Sequence, residues 1–258
     1  VRATAPVLEA VPWIAAQRDA APARLAELLE LPASDLAPRV AMEPRYQTYS
    51  LANHILESSE KAISSNLKLA LRMARLARAI AVRIDPQTCG GTNALADLGA
   101  YALAMDGNVQ RVSGNMAGAL AAFEHSREQQ KKGGVDSDLL ARIDLMEASL
   151  RRDLAQFDTA FSLLDRAMEA FLALGERRRW LQAQINRANV FMTKAQFDDA
   201  VLVLEALGES NDPQSTLWIR QNIASALTAA GRHQEAVRFF EETRELYLQF
   251  SDPLLTNR

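Results

Sequence analysis

Small and large apolar residues return in a fixed order about every 40 residues, and no other feature of this sequence constrains its fold as strongly. The clearest copy is Ala148, Ala155, Phe157, Ala160, Leu164 and Ala167. Later copies are Ala188, Ala195, Phe197, Ala200, Leu204 and Leu207, and then Ala224, Gly231, His233, Ala236, Phe240 and Thr243. An earlier copy is Gly114, Met116, Ala119, Phe123 and Ser126. Antiparallel helices cross closely only where side chains are small, so this order predicts stacked helix pairs.

Each copy predicts a first helix, a tight turn and a second helix. We expect the turns at Ala155, Ala195 and Gly231. The dipeptides Asp212-Pro213 and Asp252-Pro253 mark boundaries between pairs, because a residue before proline leaves the helical region. The chain is therefore expected to consist of consecutive helix–turn–helix units.

Composition agrees with an all-α chain and excludes several classes of protein. Aromatic residues make up 6% of the chain, and runs of strand-forming residues are scarce. The formal net charge of −3 gives no field that would gather nucleic acid, so a nucleic-acid partner is not expected. No apolar run reaches the length of about 18 residues that a membrane span needs, so we expect no membrane insertion. The single cysteine, Cys89, excludes an internal disulfide, and a cytoplasmic location fits best.

The repeated positions resemble the tetratricopeptide repeat (TPR) family, in the degenerate bacterial form that has several repeats of about 36–41 residues. The resemblance implies a right-handed superhelical solenoid of antiparallel helix pairs, extending over residues 48–258. About five pairs are expected, at residues 48–84, 92–132, 137–174, 178–208 and 214–250. Leu207, His233 and Thr243 depart from the family pattern and make the individual copies degenerate.

Residues 1–47 are predicted to form a short helical leader. Prolines break this region, and short helices are expected at residues 7–20, 23–29 and 34–42. We expect the leader to pack against the first pair as a cap, because the end of a solenoid otherwise exposes apolar surface. A mobile arm is the alternative.

The last predicted helix, 233–250, carries more apolar surface than one neighbouring helix can cover. Its large apolar residues are Phe239, Phe240, Leu246, Tyr247, Leu248 and Phe250. Terminal repeats normally present a polar outer face. We therefore expect that the natural protein continues beyond residue 258, or that this helix takes part in self-association.

The sequence has no recognisable catalytic, metal or cofactor motif. His54, His125 and His233 fall in different predicted pairs, and no ligand spacing joins them to Cys89 or to acidic residues. Nucleophile elbows, phosphate-binding loops and dinucleotide fingerprints do not occur. We predict a chain that is not an enzyme and holds no cofactor.

The resemblance also implies a binding groove, because TPR arrays hold extended peptides along the concave wall formed by their first helices. The corresponding residues here are Arg142, Leu145, Ser149, Gln182, Ile185, Asn189, Gln221, Asn222 and Ser225. Some family members grip a terminal carboxylate with two asparagines and several basic residues. Asn189 and Asn222 match those asparagines, but Ile185 stands where a basic residue belongs, so an ordinary polar lining is favoured.

A basic helix is the second candidate surface. Lys68, Arg72, Arg75, Arg78 and Arg83 fall within an arc of about 140° at 100° per residue. The functional interpretation is a docking face for an acidic protein segment, RNA or an anionic lipid surface. The alternative is a solvated outer face opposite the apolar side of the same helix.

Two functional hypotheses follow from these patterns. The first is a noncatalytic protein–protein interaction scaffold that binds a protein or peptide in its concave groove. The alternative is a partner-sensing regulatory module of a transcription or signalling protein whose effector domain lies outside this segment.

Overall fold

The computed structural model describes the backbone of residues 12–134, 136–208 and 212–251, and the side chains of residues 15–134, 136–208 and 212–244. The α-helices of this part are α1 Pro12–Glu30, α2 Ala33–Met42, α3 Tyr49–Ala62, α4 Leu67–Ala81, α5 Thr92–Val112, α6 Met116–Gln130, α7 Ser137–Asp153, α8 Phe157–Leu174, α9 Arg177–Thr193, α10 Phe197–Glu205, α11 Pro213–Ala229 and α12 His233–Ser251. Short 3₁₀ turns lie at Pro44–Tyr46 and Pro86–Thr88. No strand occurs among the described residues. The predicted all-α architecture is confirmed.

The chain divides into two compact units, Val1–Leu150 and Arg151–Arg258. In the first unit, helices that follow each other in the chain pack together: α3 against α4, α4 against α5, and α5 against α6. In the second unit the same holds from α8 to α12, and α9 also contacts α11 directly. Neighbouring helices thus bury one another's apolar faces within each unit.

The leader differs from its sequence prediction at Pro22. Helix α1 runs through Pro22 without interruption, whereas two helices separated at this residue were predicted. Proline removes only one backbone donor, and the helix persists because Ala21, Leu25 and Leu28 are buried. Helix α1 packs against α3, and α2 packs against α4, so both described leader helices lie on the first pair. Residues 1–11 lie outside the described part.

The turns fall where the repeat predicts them, and they share one backbone conformation. Ala155 and Ala195 have φ values of 57° and 58°, and the corresponding Gly114 and Gly231 have values of 82° and 76°. At the Ala155 turn, the N–H of Gln156 donates to the carbonyl of Arg151 across 2.8 Å, as in a Schellman motif. Each turn therefore needs one residue in the left-handed region, and in two copies that residue is alanine.

The described part of α12 exposes an apolar side chain at a repeat position that is buried in the other copies. Phe240 is 49% exposed, while the residues at the same repeat position, Leu164 and Leu204, are fully buried. Val237, one turn earlier, is also exposed. The side chains of the other predicted apolar residues, Leu246, Tyr247, Leu248 and Phe250, lie outside the described part.

The turn conformation makes a testable prediction about stability. Left-handed backbone costs alanine about 1 kcal/mol relative to glycine, so Ala155→Gly and Ala195→Gly should each raise the free energy of unfolding by about 0.5–1 kcal/mol. Gly231→Ala should lower the free energy of unfolding by a similar amount. A Cβ there meets no atom within 4 Å, so the change costs only the free energy of holding alanine in the left-handed conformation. Urea unfolding measures both effects.

The control is Ala121→Gly, an exposed alanine in the interior of α6, which should lose about 1 kcal/mol because glycine weakens a helix interior. Equal losses for Ala121→Gly and Ala155→Gly would contradict the proposed role of the turn.

Candidate functional site

The residues predicted to line a groove fall into two kinds in the structure. In the first unit, Arg142 and Leu145 are buried and Ser149 is half-buried. In the second unit, Gln182, Gln221 and Ser225 are exposed and Asn189 and Asn222 are half-buried, whereas Ile185 belongs to an apolar core cluster. The groove prediction itself stays a prediction, but only some of its residues are available to a partner.

Arg142 is held by neighbouring first helices rather than pointing freely outward. Its guanidinium carbon lies 4.2 Å from the centre of the Tyr101 ring, and its Nη2 donates a hydrogen bond to the Tyr101 hydroxyl. The same nitrogen lies 3.2 Å from a carboxylate oxygen of Glu60, and Nη1 lies 3.7 Å from Asp138. Burial opposes the charge, but Tyr101, Glu60 and Asp138 raise the pKa of Arg142 above its ordinary value. Arg142 therefore remains charged while buried.

Glu60, Tyr101 and Arg142 form a column that runs across three first helices, α3, α5 and α7. Successive members are 41 residues apart. This spacing equals the offset between Met116 and Phe157 in the apolar pattern. The column was not predicted from the sequence because the apolar repeat positions do not include these residues, although their spacing of 41 residues was a usable signal.

A second ionic cluster joins α6 to α7. Arg127 donates from Nε to Glu147 across 2.7 Å and from Nη2 to Asp144 across 2.5 Å. Both carboxylates are buried, so the guanidinium compensates their charge in a position that water hardly reaches. These residues tie two helices together and leave little capacity for a ligand.

Asp97 holds the turn that connects α6 to α7. Its Oδ2 accepts a hydrogen bond from the N–H of Gly134 at 2.9 Å. A Cβ on the preceding residue, Gly133, would lie 1.8 Å from Asp97 Oδ1, so a side chain there would displace the Asp97 carboxylate. Burial of the carboxyl raises the pKa of Asp97, against the lowering effect of the Gly134 hydrogen bond, and Asp136 raises it further.

The second unit presents polar side chains on two adjacent first helices. One face of α9 carries Gln182, Ile185 and Asn189, which are spaced by three and four residues. One face of α11 carries Gln221 and Ser225, which are four residues apart. The side-chain amides of Gln182, Asn189 and Gln221 make no hydrogen bond to the described part of the chain. We call these three residues, with Asn222 and Ser225, the amide row.

Two members of the amide row are partly engaged by their own helix. The Asn222 amide donates to the Trp218 carbonyl at 2.7 Å, and the Ser225 hydroxyl donates to the Gln221 carbonyl at 2.9 Å. Their oxygens keep the capacity to accept a further hydrogen bond. Asn222 also keeps its second N–H, so the row can donate through four amides and accept through all five residues.

Two of the five residues predicted to form the basic surface contact other parts of the fold, and the other three are exposed. Arg72 is half-buried and donates to the carbonyls of Leu28 and Leu31 at the end of α1. Arg78 forms an ion pair of 3.6 Å with the buried Asp106. Lys68, Arg75 and Arg83 are exposed, with no carboxylate among the described residues within 4.0 Å of them.

Two further features are absent from the described residues. Within that part of the chain, no group of three or more His, Cys, Asp or Glu side chains is arranged to hold a metal ion. No described helix is long and apolar enough to cross a membrane.

Comparison with solved structures places the fold. The chain is similar to BtubC (BKLC) from P. vanneervenii, with 17% identity and a TM-score of 0.59, over 90% of this chain and 92% of that one. It is also similar to a putative kinesin light chain with nearly identical TPR-like repeats from Podosopora anserina, with 17% identity and a TM-score of 0.53, over 77% of this chain and 96% of that one. No protein-family model matches the chain, and no curated protein does.

At these identities the similarity shows the fold alone. The chain has the all-α, TPR-like repeat fold of those proteins, which confirms the fold class and the resemblance that the sequence indicated. What the chain binds is a separate question, because one fold carries many functions.

The buried column predicts a specific loss of stability. Replacing Arg142 by Met removes the contact with the Tyr101 ring and leaves Glu60 and Asp138 without their shared cation. Both acids keep partial contact with water, so we expect the free energy of unfolding to fall by about 2–3 kcal/mol rather than more. The matched control is Arg238→Met on an exposed face of α12, which should change it by less than about 0.5 kcal/mol. Equal effects of the two changes in urea unfolding would contradict the role of the column.

The raised pKa of Asp97 predicts that the stability of the protein depends on pH. When the pKa of a carboxyl is higher in the folded protein than in the unfolded chain, the folded protein loses stability as pH rises through the folded-state pKa. Asp97→Asn keeps an oxygen for the Gly134 N–H and removes the charge. The variant should therefore gain stability relative to the parent between about pH 4 and pH 7, measured by urea unfolding at both values. Parallel pH profiles for the two proteins would show that Asp97 does not titrate differently on folding.

Proposed function

We propose that this chain is a noncatalytic protein-interaction scaffold, and that the amide row on α9 and α11 binds an extended peptide segment of a partner protein. The observation that supports this proposal is the set of uncommitted amides on two first helices that contact each other. Extended peptides carry one N–H and one C=O per residue, and an amide side chain can pair with either group.

The surroundings of the row suit a peptide more than a small charged molecule. Ile185 and Trp218 lie on the same two helices, with Ile185 almost fully buried and Trp218 half-buried. A peptide side chain that reaches the half-buried Trp218 ring gains apolar contact, while its backbone pairs with the amides. The TPR-like fold supports the proposal further, because repeat arrays of stacked helix pairs present extended surfaces of this kind.

A peptide library tests the proposal. Peptides selected on the parent protein from a random library should lose about tenfold or more in affinity for the variant Asn189→Ala plus Gln221→Ala, because each lost hydrogen bond costs about 0.5–1.5 kcal/mol. Isothermal titration calorimetry measures the change.

The matched control is Thr159→Ala plus Gln234→Ala, which removes two exposed polar side chains from the second helices α8 and α12. This variant should bind the selected peptides within about twofold of the parent. Equal binding by both double variants would show that the peptides use another surface.

A further inference from the structure

A stretch of the first unit carries positive charge with no acidic residue to balance it. Between Glu60 and Asp85 the sequence has no Asp or Glu. The cations of this stretch are Lys61, Lys68, Arg72, Arg75, Arg78 and Arg83. Most of them lie on α4, the second helix of the first pair, and on the turn that follows it.

The structure separates the cations that serve the fold from those that remain available. Arg72 holds the end of α1 through two backbone carbonyls, and Arg78 pairs with the buried Asp106. Lys68 and Arg75 are exposed and make no hydrogen bond or ion pair with the described part of the chain. Arg83 is also exposed, and within the described part of the chain its guanidinium donates to one acceptor, the Ala79 carbonyl of α4, at 2.6 Å.

An apolar residue lies within the same face. Val82 caps the C-terminal end of α4 in a helical conformation, with φ −72° and ψ −5°. At 100° per residue it projects between Arg75 and Arg78. Its side chain is 75% exposed. Lys68, Arg75, Val82 and Arg83 therefore lie on one exposed face of α4 and of the two residues that follow it, and we call these four residues the basic stripe.

Second helices elsewhere in the chain carry exposed charges of both signs. Helix α8 has Asp165 and Glu169 beside Arg166, and α12 has Glu241 near Arg238, all of them exposed. A surface that needs only to be solvated is served by such mixed charges. The basic stripe instead concentrates one sign around an exposed valine, as an electrostatically complementary interface would.

We propose that the basic stripe docks an acidic segment of a partner protein. In this arrangement, carboxylates of the segment pair with Lys68, Arg75 and Arg83, and an apolar side chain of the segment covers Val82. Arginine favours such a contact because its guanidinium fits a carboxylate through two parallel hydrogen bonds.

Two other anionic partners fit the stripe less well. Single-stranded nucleic acid is held by bases that stack on aromatic rings, and the stripe has no aromatic residue. A helix that lies in a membrane surface needs a wide apolar face, and the stripe offers one exposed valine. A protein segment needs neither of these features.

The probe is a fluorescent peptide of 15 residues, the length of α4, with Glu at most positions and Leu at every fourth position. Its affinity for the full chain is measured by anisotropy. We expect Lys68→Glu plus Arg75→Glu to weaken binding by about tenfold or more, and Val82→Ser by a smaller factor. Raising the salt from about 0.1 M to 0.5 M should also weaken binding by the parent protein.

The matched control is Lys131→Glu plus Lys132→Glu at the end of α6, which changes the net charge by the same amount on another exposed site. It should bind the probe within about twofold of the parent. The amide-row variant Asn189→Ala plus Gln221→Ala should also keep full affinity for the probe, so failure of one proposed surface leaves the other intact.

Three results would overturn the proposal. The first is equal loss of binding in the two charge-reversed variants, which would show that the net charge of the protein, and not the basic stripe, determines its affinity for the peptide. The second is binding of oligouridine or of phosphatidylserine vesicles more tightly than the peptide in the same assay, with the same dependence on Lys68 and Arg75. The third is no measurable peptide binding by the parent protein at low salt.

Discussion

The close approach of two helices beside each turn is the constraint on which the rest of the structure depends. A residue in the left-handed region, at Gly114, Ala155, Ala195 or Gly231, is followed five residues later by a buried alanine. The left-handed residue reverses the chain within one turn, and the alanine lets the second helix lie close to its neighbours. At Ala155 and Ala195 the backbone is strained by about 1 kcal/mol, which the buried contacts that follow the turn offset.

Once this contact is fixed, the exposed faces of the first helices are free to vary. One repeat position carries Glu60, Tyr101 and Arg142 in the first unit, where the three side chains engage one another. In the second unit, the corresponding stretch of α9 presents Gln182 to solvent. The same backbone arrangement therefore supports an internally satisfied surface in one unit and an open polar surface in the other.

The fold could be predicted from the sequence, but the surroundings of the charged residues could not. Ala195 and Gly231 mark the turns because turn geometry depends on the residue itself. Whether Arg142 lies in a groove or inside a column depends on Tyr101 and Glu60, which an apolar pattern ignores. Arg72 was likewise predicted to be part of an open face, but it donates to carbonyls of the leader more than 40 residues earlier.

Pro22 illustrates the same limit on local interpretation. The proline predicts a helix end because it lacks a donor and crowds the preceding turn. Helix α1 continues through it because the neighbouring side chains are buried against the first pair, and that packing outweighs one lost hydrogen bond. The amide row could be predicted more fully, since exposed polar residues on a first helix need no distant partner to explain them.

The buried column is better understood as a device that fixes the spacing of first helices than as a source of stability. Buried ion pairs lose much of their attraction to desolvation, and apolar residues of the same volume often stabilise a protein equally well. The guanidinium of Arg142 reaches Tyr101 and Glu60 together, and its planar shape accepts one arrangement of ring and carboxylate. Three first helices of the first unit are thereby tied together at one repeat position, whereas in the second unit α9 packs against its neighbours with the uncharged Gln182 at the corresponding position.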